Sequence, residues 1–183
     1  RLSLVGSEMC IRDRVYSSGE PRETEAYALF AHILAAKTHT GALHFFDTVS
    51  ANNLPSTQAS LLQVPLAPEP SELSDVTING IFSDVNERLG TDIQPLRVLG
   101  AHATDTVAVM LGAETTKLSA YVPIVSLHLV RPLSARCLVD SIPPSVTRVA
   151  VLEHSSKRTT RLPPVLVDVA SAFQHVTDRQ VPV

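Results

Sequence analysis

The feature that most constrains the fold is an alternation, in the second half of the chain, between short apolar runs and segments of helical pattern. The runs are LRVLG, TVAVMLG, VPIVSLHLV and TRVAVLE. Runs of this length and composition are typical of strands that are buried on both faces of a sheet. Strands that alternate with helices predict a mostly parallel sheet with right-handed crossovers. We therefore predict a three-layer α/β domain.

The segments between these runs carry helix start and stop signals. Ser74 can cap a helix whose apolar residues recur at helical spacing and which Gly90 can end. A short helix is predicted over residues 114–118, and Ser134 can cap another over residues 135–142 that the following prolines end. The last apolar run, VLVDVASAF, is predicted to begin as a strand and to pass into a helix.

The first half of the chain indicates the end of a different α/β domain, followed by a linker. Apolar residues at helical spacing predict a helix over residues 24–37, and Gly41 separates it from a short strand over residues 42–46. Four prolines among Ser, Asn and Gln residues indicate an extended linker. The predicted organisation is a domain piece over residues 15–47, the linker over residues 48–74 and the main domain over residues 75–183.

The opening stretch RLSLVGSEMCIRDR is expected to lie outside this organisation. Charged and polar residues interrupt each of its apolar runs, so the stretch is too polar for a secretory signal. It resembles a translated sequencing adapter. We therefore expect Arg1–Arg14 to be an artefact that does not pack against the domain, and burial of Leu4, Met9 and Ile11 in the core would contradict this.

Charge and cysteine content limit the partners and the compartment. Without the opening stretch the chain has 12 basic residues, 15 less three, and 16 acidic residues, 18 less two, which gives −4. This balance does not favour a nucleic-acid partner. The longest apolar stretch is far shorter than a bilayer span, so no membrane partner is expected. Cys137 is the one cysteine left, which excludes a cysteine-built metal site within the chain and favours a reducing, cytoplasmic compartment.

Sequence motifs of nucleotide, hydrolase and metalloprotease sites do not occur in the chain. No G-x-G-x-x-G, P-loop, G-x-S-x-G or H-E-x-x-H pattern is found. A single glycine such as Gly112 indicates a tight turn into a helix rather than a phosphate cradle. His32 and His39 lie on one predicted helix without a third ligand, so we interpret them as structural.

Polar residues that follow predicted strands are the remaining candidates. His44 with Asp47, and Glu153 with His154, would lie at carboxyl ends of strands, where α/β proteins commonly bind ligands. The basic stretch SSKRTTR could bind a phosphate or an acidic partner, but a solvated loop is the favoured interpretation. No pocket can be derived from these residues, so none is assigned as catalytic.

The order of several motifs resembles core domain II of the pyruvate:ferredoxin (flavodoxin) oxidoreductase superfamily. In that pattern one strand is followed by Gly, a small residue and Glu-Thr, a second ends in Arg-Pro, and a third precedes an acidic residue and a Lys-bearing loop. Upstream, HFFD (His44–Asp47) resembles the end of the family's pyrimidine-binding domain I. The matching residues are Gly112, Glu114, Thr115, Arg131, Pro132, Ser134, Glu153, Lys157, Val167 and Asp168.

This resemblance implies a transketolase C-terminal-like fold in a multidomain oxidoreductase. The chain departs from the family at Thr48–Ser50, where the family continues Gly-Phe-Arg-Thr-Ser, and in a shortened crossover between MLGAET and VPIVSL. The departures suggest a divergent copy, similar to those in subunits of the eukaryotic NADPH-dependent assimilatory sulfite reductase. The chain would then be a non-catalytic scaffold that contacts the other domains and subunits of its parent.

Two alternatives stay open, namely a segment of an active thiamine-dependent 2-oxoacid oxidoreductase and a stand-alone protein-binding domain of the transketolase C-terminal type. The parent would hold flavin and NADPH in the leading interpretation, and thiamine diphosphate with iron–sulfur clusters in the first alternative. No cofactor, metal or catalytic residue is assigned to this chain. Its structural or interface candidates are Arg131, Glu153, Asp168 and Gly112, and Arg131 is expected to pair with Glu153.

Overall fold

The computed structural model of the chain describes residues 14–18, 23–45, 63–100, 104–111, 115–153 and 163–176. The helices are α1 (Thr24–Thr38), α2 (Asp75–Leu89), α3 (Thr115–Leu118), α4 (Ala135–Ser141) and α5 (Pro164–Val176). The strands are β1 (Arg14–Ser17), β2 (Ala42–Phe45), β3 (Leu96–Leu99), β4 (Thr106–Leu111), β5 (Ile124–Leu127), β6 (Leu129–Arg131) and β7 (Arg148–Leu152). The chain divides into two compact units. The first unit consists of the residues up to Gln94 together with Leu129–Pro132, and the second unit consists of Pro95–His128 together with the residues from Leu133 onward.

The first unit contains a three-stranded sheet of order β2-β1-β6, in which β1 is parallel to β2 and antiparallel to β6. Helices α1 and α2 supply most of the buried apolar side chains of its core. The rings of Phe30 and Phe82 stack with their centroids 4.1 Å apart. The hydroxyl of the buried Tyr27 donates to the Gln94 carbonyl oxygen at 2.8 Å, so its polar atom is satisfied.

Helix α2 begins and ends at the residues that the sequence predicts. The Ser74 side chain accepts a hydrogen bond from the Thr77 amide at 3.2 Å. Gly90 adopts φ +62°, in the left-handed region that glycine reaches without steric cost, and its amide donates to the Asn86 carbonyl oxygen. Both capping predictions are confirmed.

The compact units do not follow the predicted domain bounds. We predict that the main domain begins at residue 75, but α2 lies in the first unit, which continues to Gln94. The physical reason is that the apolar face of α2 packs into the same core as α1. Residues 63–74 of the predicted linker form no helix or strand, and residues 48–62 lie outside the described residues. The domain bounds of the parent protein stay a prediction.

The second unit contains a four-stranded sheet of order β3-β5-β4-β7. Strand β4 is parallel to both β5 and β7, and β3 is antiparallel to β5. Val107 and Val109 pack on one face of the sheet in a cluster with residues of α4 and α5, while Ala108 and Met110 lie in a second cluster. Because neighbouring residues of a strand point to opposite faces, both faces of β4 are buried. The predicted mostly parallel α/β sheet is confirmed.

The predicted strand at the start of VLVDVASAF is wrong. The segment is helical throughout, as part of α5. Its buried residues are Val165, Val169, Ala172 and Phe173, a spacing that places them on one side of a helix. Asp168 therefore lies on a helix and not at the end of a strand.

The run VPIVSLHLV, which we predict as one strand, is two strands in the structure. Strand β5 pairs with β3 and β4, whereas β6 pairs with β1 in the other sheet. The strands separate at His128, whose amide donates to the Pro95 carbonyl oxygen at 3.0 Å. Different hydrogen-bonding partners on the two sides of His128 therefore divide a run that has no glycine or proline after Pro123.

Strand β1 is an element that the sequence does not predict. Arg14, the last residue of the stretch expected not to pack, is its first residue and pairs with Ala42. Residues 1–13 lie outside the described residues, so the expectation for them stays a prediction. Within the described ranges, no helix has the length and apolarity needed to cross a membrane.

Candidate functional site

The carboxyl ends of the parallel strands β4, β5 and β7 lie at one edge of the four-stranded sheet. This edge is the common ligand-binding position in α/β folds. The residues that directly follow β5 and β7 are His128 and Glu153. Those that follow β4, including the predicted Gly112, lie outside the described residues, as do Glu114, His154 and the basic cluster with Lys157.

Ser126 and His128 form a buried polar pair at the end of β5. They expose 1% and 2% of their surface, and Ser126 Oγ lies 3.3 Å from His128 Nε2. A hydroxyl bonded to an imidazole is the arrangement that activates serine nucleophiles, but here neither group is accessible to a substrate. We interpret the pair as internal satisfaction of two buried polar groups. The sequence signal that could have indicated it is the pair of polar residues within an apolar run.

Arg97 lies beside this pair on the neighbouring strand. It is directly opposite Ser126 in the antiparallel register of β3 and β5, so both residues are on the same face of the sheet. Sequence reasoning did not select Arg97, because the pairing of β3 with β5 brings together residues that are far apart in the chain.

Glu153 is held at the start of α5. Its Oε2 atom accepts a hydrogen bond from the Val165 amide at 3.1 Å. Pro164, the first residue of α5, has no amide hydrogen, so Val165 offers the first donor of the helix. A carboxylate at this place also interacts favourably with the positive end of the helix dipole. The structure therefore shows a capping role for Glu153.

Arg131 is the last residue of β6, and its Nη1 atom donates to the Val130 carbonyl oxygen at 3.0 Å. The guanidinium is half-buried. Arg131 belongs to the first unit and Glu153 to the second, so their predicted pair stays a prediction. Asp168 is half-buried on α5.

The opposite edge of the sheet carries an exposed ion pair between Asp105, directly before β4, and Arg148, the first residue of β7. Both Asp105 carboxylate oxygens accept from Arg148 Nη2, at 2.9 and 2.8 Å. The Asp105 carbonyl oxygen also accepts from the amides of Thr147 and Arg148. The bond from Arg148 holds the pKa of the Asp105 carboxyl below its ordinary value. These contacts join two strand ends and do not form a ligand site.

In the first unit His44 takes part in packing and His39 in a hydrogen bond. His44 lies on β2 with its ring 6.4 Å from that of Tyr27, and burial lowers its pKa. His32 is exposed on α1, and His39, directly after α1, is its C-terminal cap residue. Among the described residues no group of three potential metal-ligating side chains occurs. Asp47, the predicted neighbour of His44, lies outside them.

Comparison with known proteins identifies the fold and leaves the family open. No family model matches the chain, and no curated protein matches it. Among solved structures, the chain is similar to 2-oxoglutarate:ferredoxin oxidoreductase from Magnetococcus marinus, determined with 2-oxoglutarate, coenzyme A and succinyl-CoA bound. The TM-score is 0.51 at 13% sequence identity, and the match covers 93% of this chain and 38% of that chain. At this level of identity the similarity shows a shared fold.

Proposed function

We propose that this chain is a scaffold and subunit-contact segment of a multidomain oxidoreductase, and that it does not form the reaction centre. The proposal rests on one observation, that described polar side chains at the carboxyl edge of the sheet form hydrogen bonds within the protein. Glu153 caps α5, and Ser126 bonds to His128 in the protein interior. Side chains that form hydrogen bonds within the protein stabilise the edge of the sheet and are poorly suited to bind a substrate.

The parent protein, in our proposal, is a cytoplasmic sulfite reductase (NADPH) subunit. The basis is the shortened crossover that distinguishes the chain from the family pattern. Between β4 and β5 the described residues contain one short helix, α3, of four residues. The parent would hold flavin and NADPH in other domains, and this chain would contact those domains and further subunits.

A second candidate parent is an active thiamine-dependent 2-oxoacid:ferredoxin oxidoreductase. The fold similarity to a protein of that class favours it. In this case thiamine diphosphate and iron–sulfur clusters would be bound outside this chain. The scaffold role of the chain is the same under both candidates, which differ in the chemistry of the remaining domains.

The test is to recover the full reading frame that contains this chain and to assay the purified product. Sulfite-dependent oxidation of NADPH, with flavin or sirohaem absorbance, would support the first parent. Coenzyme A-dependent oxidation of a 2-oxoacid with reduction of a viologen dye would support the second. A short product without either activity that still binds a protein partner would favour the stand-alone binding domain instead.

The scaffold role is tested separately in the same full-length product. Glu153→Gln should leave turnover at the wild-type level, because the residue acts on α5. Glu87→Gln, on an exposed position of α2, is the matched control. A loss of turnover in the Glu153 variant at unchanged thermal stability would contradict the scaffold assignment.

A further inference from the structure

Residues 63–74 of the first unit, which we call the strap, lead directly into α2 and are hydrogen-bonded to the end of α1. Val64 and Leu73, near its two ends, are half-buried and pack against the core of the unit. Most residues between them are exposed. The strap therefore has apolar anchors at its ends and little apolar burial in its middle.

The middle of the strap is hydrogen-bonded to the end of α1. The last carbonyl groups of a helix have no partner within the helix. Here the amide of Ala67 donates to the Ala36 carbonyl oxygen at 3.1 Å, and the amide of Ser71 donates to that of Lys37 at 2.7 Å. The strap thus supplies donors to a helix end.

His39 adds a third bond to the strap. Its Nε2 atom lies 2.8 Å from the Ala67 carbonyl oxygen. Because a carbonyl oxygen only accepts, Nε2 carries the hydrogen. The backbone of His39 is in the left-handed region at φ +53°, and its amide donates to the Ala35 carbonyl oxygen. This conformation is uncommon for residues other than glycine and asparagine, and it directs the ring towards the strap.

The far end of the strap is joined to α2. The Glu72 carbonyl oxygen accepts from the Thr77 hydroxyl at 2.9 Å, and Ser74 caps the helix. The strap therefore satisfies backbone groups at the end of one helix and at the start of the next.

We propose that the strap is a latched element that opens and closes on α1 as a unit, and that His39 is its latch. Segments with few buried apolar contacts open at a lower free energy than the core. The three prolines of the strap, Pro65, Pro68 and Pro70, restrict its open state, so reclosing costs little conformational entropy. Opening removes the partners of the α1 carbonyl groups while the core between α1 and α2 stays intact.

Hydrogen exchange followed by mass spectrometry tests the latch in the 183-residue chain. We expect the amides of Ala67 and Ser71, which donate to the end of α1, to exchange roughly fivefold faster in His39→Asn and His39→Gly than in the wild type, as the loss of one hydrogen bond implies. Amides of residues 27–34, within α1, should keep their wild-type rates. His32→Asn is the matched control on the exposed side of α1.

Both His39 variants tolerate the left-handed backbone, so neither should prevent folding. Wild-type exchange of the Ala67 and Ser71 amides in both variants would overturn the proposal. Equal acceleration of the α1 amides would also overturn it, because His39 would then stabilise the helix as a whole.

Discussion

At the scale of the residue, Gly100 occupies a position that the structure restricts to glycine. It follows β3 with φ +82°, a conformation that side chains rarely adopt. A Cβ atom there would lie 2.7 Å from the Ser119 carbonyl oxygen and 3.4 Å from the Pro123 Cα. Because both neighbours are backbone atoms, they cannot move away as a flexible side chain would. This position therefore requires glycine for its conformation and for its size.

Gly100→Ala should lower the free energy of unfolding by roughly 2 kcal/mol, from the left-handed backbone and the steric contact together. Gly80→Ala is the matched control, since a Cβ at Gly80 in α2 meets nothing within 4 Å. That change should stabilise the chain by up to about 1 kcal/mol, as expected in a helix interior. Urea denaturation measures both, and equal midpoints for the two variants would contradict the assignment.

The lowered pKa of Asp105 predicts that part of the stability of the chain depends on pH in the acid range. Its pKa in the folded chain is lowered from 3.8, so the carboxylate contributes stability above that value. The contribution is lost as the pH falls through the lower, folded pKa. Asp105→Asn should therefore show a shallower loss of thermal stability below about pH 4 than the wild type. High salt should reduce the difference because the pair with Arg148 is exposed.

The control for Asp105 is Asp140→Asn. Asp140 is exposed on α4, with its oxygen 3.6 Å from Arg136 Nε. Such a long, exposed pair contributes little. If the two variants have the same melting temperatures at every pH below 4, the Asp105 assignment is wrong.

At the scale of the element, α5 shows how a helix start depends on a residue from another element. Proline begins the helix and Glu153, directly after β7, binds the first available amide. The proline and the apolar spacing lie within the helix itself, but the cap is Glu153, twelve positions before Val165 in the chain. Only the packing of α5 beside β7 brings the two together.

Glu153→Ala should lower the free energy of unfolding by about 1 kcal/mol, the usual value of a lost helix N-terminal cap. Glu153→Gln should retain part of the stability, because its amide oxygen can still accept the bond. Glu87→Ala, an exposed change on α2, should stay within about 0.5 kcal/mol of the wild type. Thermal or urea unfolding measures all three, and a Glu153→Ala variant as stable as Glu87→Ala would rule out the cap.

At the scale of the whole molecule, the shared fold with a ferredoxin-dependent oxidoreductase does not assign a role to Arg131. The residue ends β6 and bonds to a backbone carbonyl oxygen. The structural or interfacial role of Arg131 stays a prediction. A planar guanidinium with five donors can bind a neighbouring subunit as well as a backbone.

Arg131→Ala in the full-length parent should weaken subunit association or thermal stability while the turnover of the assembled enzyme stays near the wild-type level. Arg136→Ala, on the exposed surface of α4, is the control. Sedimentation, thermal unfolding and steady-state turnover are measured on the same preparations. Loss of turnover with normal association and stability would make Arg131 an active-site residue.

Local sequence signals are sufficient to place several elements of the chain, among them α2 and β4. Ser74 and Gly90 bound α2 as predicted, the apolar run of β4 is a buried strand, and that of β7 is a strand with Val149 buried. Caps, turns and hydrophobic spacing act over a few residues, so the sequence displays them directly.

Tertiary structure alone decided which elements share a sheet and which residues meet. The run VPIVSLHLV divides at His128 because its two halves have different hydrogen-bonding partners. The segment VLVDV is helical because Val165 and Val169, four residues apart, are buried on the same side of α5. Tertiary structure also paired Ser126 with His128 and Glu153 with the amide of Val165. Strand pairing and helix packing join residues far apart in the chain, and the free energy of those contacts exceeds the weak preference of a short apolar run for strand or helix.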